Sequence, residues 1–268
     1  MVALFFTTSL WANEPASELE TDSLSLQVEQ QKALDGSTIE ISKAAADQAY
    51  MDQEYSKAID IYEQLLAKGV SGEIYYNLGN AYYKKEEIAK ALLNYERAVL
   101  FSPNNRDYIA NLEIARAKTV DKFEPASELF FISWGKSIVN WMTSDQWAIT
   151  SITLFILTLI SLGFFFLTKI PAVKRSSLLL ALLLFILVPI TNYCASYQKS
   201  KINNKNTAIV MEPSVTVRST PSESGTSLFV IHEGKKVTIT DNSMRDWVEI
   251  ELENGEVGWL SATALELI

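Results

Sequence analysis

The pattern of apolar and polar positions changes character sharply along this chain. From Gln146 to Thr168, and again from Ser176 to Gln198, 23 consecutive residues carry no charge and are mostly Leu, Ile, Phe and small residues. At ~1.5 Å of rise per residue each run reaches about 34 Å, enough to cross a ~30 Å hydrocarbon layer. A helix buried in a soluble core is shorter than this and carries a polar face, so both runs read as membrane spans. Residues 169–175 are the loop between them. The pair therefore predicts a tight helical hairpin with both flanking regions on one side of a membrane.

Upstream the spacing is helical and self-similar. Ala58-Ile59-Asp60-Ile61-Tyr62-Glu63 returns as Ala91-Leu92-Leu93-Asn94-Tyr95-Glu96, and Asn77-Leu78 returns as Asn111-Leu112. A helical pattern that recurs at this interval resembles the tetratricopeptide repeat. The better unit runs from Gly72 to Asn105, with Tyr75, Leu78, Gly79, Tyr82, Ala91, Tyr95, Ala98 and Pro103 on that family's pattern positions. Small Gly79, Ala91 and Ala98 let two antiparallel helices approach, Tyr82 and Tyr95 fill the space between them, and Pro103 ends the second helix. A degenerate first unit covers residues 39–71, and a helix from Arg106 to Thr119 caps the stack, so the repeat domain is residues 39–119. Two repeats are fewer than the three usually needed to stand alone. The domain is expected to lean on the membrane-proximal segment or on a partner.

Residues 123–145 hold Phe130, Phe131, Trp134, Ile138 and Trp141 with Lys136 and Asn140 between them. The segment reads as an amphipathic helix at a bilayer surface with its indoles among the headgroups, the alternative being an ordinary helix packed under the repeats. Beyond Lys205 the period becomes two. Val215-Thr216-Val217, Val237-Thr238-Ile239, Trp247 to Leu252 and Val257 to Leu260 read as short strands, and Asn254-Gly255 predicts a two-residue type I′ hairpin. About five such strands in residues 207–268 predict a small β-barrel. Val217-Arg218-Ser219, Gly234, Trp247, Gly255 and Gly258-Trp259 together resemble a bacterial SH3 domain, and Arg218 is expected to tie a loop down. The fold class is thus multidomain: all-α tetratricopeptide helix pairs, a two-helix transmembrane hairpin and an all-β SH3-like barrel.

Composition narrows the function. Lys and Arg number 23 against 32 Asp and Glu, a net charge of −9, which lacks the basic footprint of a nucleic-acid binder. A single Cys excludes an intrachain disulfide or multi-cysteine metal site, and a single His argues against a catalytic triad or histidine metal centre. The chain therefore reads as a non-catalytic binding protein without a cofactor. The charge is uneven. Residues 13–40 hold seven acidic residues and one Lys, residues 206–268 ten acidic and four basic, and residues 41–205 fifteen acidic and eighteen basic. The stretch 13–38 reads as an acidic flexible tether. Residues 1–12 end in small residues like the end of a secretory signal. Lys169, Lys174 and Arg175 in the loop face Lys136, Lys199, Lys201 and Lys205 across the hairpin, so charge alone does not orient it. The signal-like start places both soluble parts outside the cytoplasm, in a bacterial inner membrane, with 169–175 as a cytoplasmic loop.

In their order, these parts resemble the BatE-type membrane proteins of the aerotolerance (Bat) operon. Tyr75-Tyr76-Asn77-Leu78-Gly79-Asn80-Ala81-Tyr82, Asn111 to Arg116 and Val217-Arg218-Ser219 carry the resemblance. It implies protein partners of the von Willebrand A-domain membrane class and a MoxR-type ATPase, in tolerance of oxygen or envelope stress.

Candidate binding residues follow from the repeat register. One concave face is expected to present Lys43, Asp47 and Tyr50, then Tyr76, Asn80, Tyr83 and Lys84, then Ala110 and Ile114. Asn80 and Lys84, four apart on one helical face, suit a peptide backbone or carboxylate, and the tyrosines add rigid contact area. The competing reading is a solvated face with partly buried tyrosines. In the barrel, Trp247 and Trp259 either line a groove for a peptide or peptidoglycan stem or close a small core. His232 reads as an exposed strand-end residue, and Cys194 as a packing residue near the end of the second span or, less simply, a redox sensor.

Overall fold

A computed structural model describes residues 41–122 and 130–268. The expected signal and acidic tether, and the first residues of the juxtamembrane segment, lie outside the described residues. The repeat region forms α1 (Lys43–Met51), α2 (Tyr55–Lys68), α3 (Gly72–Lys84), α4 (Ile88–Phe101) and α5 (Arg106–Arg116). Ser42 and Asn105 cap α1 and α5 with their side chains, as small polar residues at helix starts do. Gln53 and Glu86, at equivalent positions of successive repeats, both take a left-handed backbone (φ 61° and 64°) where the first helix of each pair turns into the second. The close approach anticipated at Gly79 is present. A Cβ there would stand 2.7 Å from the Tyr95 ring, and Tyr95 is buried.

Next come α6 (Phe130–Val139), α7 (Ser144–Leu167) and α8 (Pro171–Asn203). The last two are long and apolar enough to cross a membrane. Their boundaries differ from the charge-free runs because helix geometry and hydrophobicity end at different residues. Thr143 starts α7 two residues early with a capping box closed by Gln146. Pro171, at the first helical position, starts α8 inside the expected loop. The connection is thus only residues 168–170. Ser161 donates to the Ser177 carbonyl at 2.7 Å, a small-residue contact that draws the two helices together. The juxtamembrane helix is shorter than expected, since Trp141 falls beyond its end. Trp147 does not join the exposed aromatic row either: it is buried and donates its indole N–H to the Val139 carbonyl at 2.9 Å.

The C-terminal part has more strands than the pattern predicts: β1 (Thr207–Val210), β2 (Ser214–Arg218), β3 (Ser227–His232), β4 (Lys236–Asp241), β5 (Trp247–Glu251), β6 (Val257–Ser261) and β7 (Leu265–Leu267). They form one antiparallel sheet in the order β3-β2-β6-β5-β4-β1-β7. Alternation places Val215, Val217, Val248, Ile250 and Leu260 on its inner, buried side. The β5–β6 hairpin is not type I′, because only Gly255 (φ 85°) and not Asn254 has positive φ. Gly255 N–H bonds the Leu252 carbonyl and Leu252 N–H bonds the Glu256 carbonyl, each at 2.9 Å. This is the three-residue loop with a left-handed glycine. Arg218 ties down the loop after β2 as expected, donating to the Gly225 carbonyl at 3.0 Å.

The two-repeat stack leans on this sheet. Ala89 and Leu93 of α4 pack with Ile209 of β1 and Ile268. Gly234, at φ 83°, lies so close to Leu92 and Thr119 that a Cβ would stand 2.8 and 2.7 Å from them. Glu96, 5% exposed, is held between Arg116 of α5 and Lys236 of β4, the latter at 2.8 Å. His232 is not a free surface residue. Its backbone N–H donates to Asp121 at 2.7 Å and its ring Nδ1 stands 2.9 Å from the other carboxylate oxygen. A strand-end histidine looks exposed in sequence because the neighbour that covers it, Asp121, belongs to the far end of the repeat region.

Burial pushes the Glu96 carboxyl up, but Lys236 and Arg116 outweigh it and hold it below the usual carboxylate range. Such a group stabilises the fold above the ordinary carboxylate pKa, and the contribution is lost as pH falls through the depressed native value. Glu96→Ala takes the buried anion away from Lys236 and from Arg116, which keeps Glu113 at 2.7 Å, and is expected to cost about 2 kcal/mol, less than for fully buried partners. Denaturant unfolding of the full chain in detergent measures it. The same deficit should shrink as the wild type is taken to acid pH.

Candidate functional site

The repeat register brings most of the predicted groove residues to one face, where a ladder of hydrogen bonds crosses the helices. Asp47 of α1 accepts the Tyr62 hydroxyl at 2.5 Å and the Asn77 amide at 3.1 Å. One repeat later Asn80 accepts the Tyr95 hydroxyl at 2.7 Å and the Asn111 amide at 3.0 Å. Each rung thus joins an acceptor on a first helix, a buried tyrosine on the second and an asparagine on the next first helix. Tyr62 and Tyr95 are almost fully buried, so their hydroxyls need those acceptors. A parallel set of contacts takes the same register. Tyr82 donates to Glu63, and one repeat further on Arg116 donates to Glu96 from the equivalent positions.

Asp47 is therefore first a structural acceptor. Burial raises its carboxyl, but the bonds from Lys43, Tyr62 and Asn77 outweigh that and keep it below the usual carboxylate range. Lys43 is likewise committed, 2.7 Å from Asp47 and 3.1 Å from Glu73. The carbonyl half of the anticipated Asn80–Lys84 pair is spent on Tyr95 and Asn111. Tyr76 stacks on Tyr108 at 4.6 Å and receives the Asn111 amide at 2.7 Å. What faces a recess of about 360 Å³ is Tyr50, Tyr76, Asn80, Tyr83, Lys84 and Ile114, with Tyr95 and Asn111 behind them. A second recess of about 210 Å³ adjoins Asp47 and Tyr50. Lys118 lies 4.7 Å over the ring of Tyr83, so a second cation besides Lys84 stands against a tyrosine that lines the recess. Sequence reasoning misses Asn77, Asn111 and Lys118 as groove residues. The recurrence of Asn77-Leu78 as Asn111-Leu112 was the available signal for the first two.

Trp247 and Trp259 sit on the outer face of the sheet and not among its core residues. Across the strands Trp259 is opposite both Glu249 and Arg218, and Trp247 is opposite Ser261. The two indoles are half-buried on the adjacent strands β5 and β6, and β4 separates β5 from β1. They are not brought together with the helical groove.

These features agree with what comparison with known families finds. Residues 72–105 match the tetratricopeptide repeat family, and residues 213–266 match the bacterial SH3 domain family. The chain matches no curated protein. Both are families of binding modules, which suggests protein or peptidoglycan binding. The first repeat, residues 43–68 in α1 and α2, lies outside the matched segment, yet its Asp47 and Tyr62 repeat the rung of Asn80 and Tyr95.

Asp47→Leu orphans the buried Tyr62 hydroxyl and is expected to cost about 2 kcal/mol. Hydrogen exchange should show α1 losing protection first while α4 keeps it.

Proposed function

We propose that this protein is a membrane-anchored, non-catalytic adaptor. Its helical groove holds a carboxylate-bearing peptide of a protein partner, and its barrel offers a second contact surface. The observation that carries this reading is the open recess flanked by Tyr83 and Lys84, whose back wall is already fixed by the Asn80 rung. The groove would take an extended chain, with Lys84 and Lys118 facing its carboxylates and Tyr50, Tyr76 and Tyr83 supplying flat contacts. Lys43 and Asp47 would set the far end of the groove through their own ion pair.

The two apolar helices would anchor the chain as a hairpin in a bacterial inner membrane, with both soluble domains in the periplasm. Helix α6 would lie along the bilayer surface, its exposed Phe130, Phe131 and Trp134 among the lipids. Its end is fixed to the hairpin by Gln198, which donates to the Val139 carbonyl at 2.9 Å, and to the repeats by Asn104, which donates to the Trp141 carbonyl at 2.6 Å. By the resemblance noted in the sequence, the partners would be von Willebrand A-domain proteins and a MoxR-type ATPase system acting in aerotolerance or envelope stress.

A second reading gives the outer barrel face to cell-wall peptides. Trp247 and Trp259 on adjacent strands favour it, since half-buried indoles on an outer sheet face suit a peptide or sugar.

Tyr83→Ala with Lys84→Ala removes groove contacts without touching the rungs. It should reduce recovery of a partner crosslinked to the wild type at least tenfold, with membrane insertion unchanged. Equal recovery would remove the groove assignment. Sedimentation of the full chain with peptidoglycan sacculi, lost in Trp247→Ala with Trp259→Ala, would favour the second reading. Reporter fusions after Lys122, Val173 and Ile268 should read outside, inside and outside.

A further inference from the structure

A separate recess of about 340 Å³ opens where α2, α3 and α4 meet strand β7, and it shares no residue with the helical groove. Asn94 of α4 lines it and is 3% exposed. Its amide nitrogen donates to the Lys90 carbonyl at 2.8 Å, which fixes the orientation of the side chain. Its carbonyl oxygen is buried and accepts no hydrogen bond among the described residues. A buried acceptor left unmatched costs free energy, so it points to a donor that comes from outside the chain.

The surrounding polar groups sharpen what that donor is. Two cations line the recess, Lys90 and Arg97, and both have partners. Lys90 pairs with Glu87 at 2.8 Å and lies 5.1 Å over the Tyr82 ring. Arg97 donates to the Leu267 carbonyl at 2.5 Å and to Glu266 at 3.2 Å. Glu63 takes the Tyr82 hydroxyl and makes no ion pair among the described residues, and Glu266 is half exposed beside it in the same recess. Leu66, Leu78, Leu93 and Tyr75 line the rest. A cation on an apolar stem would meet the unmatched Asn94 oxygen and the Glu63 carboxylate with its head and the leucines with its stem.

We propose that this recess binds an alkylammonium or guanidinium group of the lysine or arginine type, its N–H donors meeting Asn94 Oδ1 and the carboxylates of Glu63 and Glu266. The site is distinct from the groove and its occupant has the opposite charge. A partner polypeptide gripping the groove through carboxylates could thus be gripped here through a basic side chain.

Isothermal titration of the full chain in detergent tests this with three probes: N-acetyl-lysinamide, n-butylammonium and N-acetyl-norleucinamide. The lysine probe should saturate, and the uncharged norleucine probe should not. Glu63→Gln and Glu266→Gln, each replacing an exposed carboxylate, should weaken the lysine probe about tenfold, the scale of one charge-assisted hydrogen bond. Unchanged melting temperatures would show that both variants remain folded. Butylammonium binding as tightly as the lysine probe marks a small amine as sufficient. Binding tightened at least tenfold by the flanking amides marks a polypeptide occupant. No saturation by either cation, or saturation unaffected by both substitutions, overturns the proposal and leaves Asn94 to an ordinary water.

Discussion

The structure depends most on the carboxylate of Glu96, removed from water and held between Arg116 and Lys236. A two-repeat helical stack ends with an apolar face that a third repeat would normally cover. Here the first half of that cover is supplied by α5, whose Arg116 takes the place that Tyr82 holds against Glu63. The second half comes from the barrel, through Lys236, Ile209 and the glycine at 234. The barrel therefore works as the terminal cap of the solenoid.

The cap also sets what each module can offer. Strands β1 and β7, Lys236 of β4 and the β3–β4 turn face the helices, while Trp247 and Trp259 are not among these contacts. On the helical side, the concave face stays open because its polar groups satisfy one another in rungs and need no covering. A groove whose back wall is already bonded presents its remaining groups at little ordering cost when a ligand arrives. The same economy is broken at Asn94, where an acceptor is built into a wall and left unmatched.

Much of this was legible in the sequence. The recurrence of Ala58 to Glu63 as Ala91 to Glu96 located both helix pairs, and uniform hydrophobicity located both long apolar helices, since each depends only on local periodicity. The face carrying Tyr50, Tyr76, Asn80, Tyr83 and Lys84 followed from the same register. What stayed hidden was long-range. His232 looked exposed because Asp121 is far away in sequence, and the union of barrel and repeats rests on contacts such as Glu96 with Lys236. Asn80 looked free because the hydroxyl and amide that occupy its carbonyl come from two other helices. The hairpin at Asn254-Gly255 was found in the right place with the wrong turn, because one left-handed glycine serves a three-residue loop as well as a dipeptide with two positive φ values would serve a shorter one. The start of α8 stayed hidden because Pro171 fits a loop as readily as a first helical position.

The most direct measure of the capping interaction is a double-mutant cycle between Glu96→Gln and Lys236→Met, read by denaturant unfolding of the full chain. If the barrel caps the repeats through this pair, the two substitutions are strongly non-additive, with a coupling energy above ~1 kcal/mol. Additive effects within ~0.3 kcal/mol would mean that helices and barrel stand side by side without depending on each other, and would contradict the account.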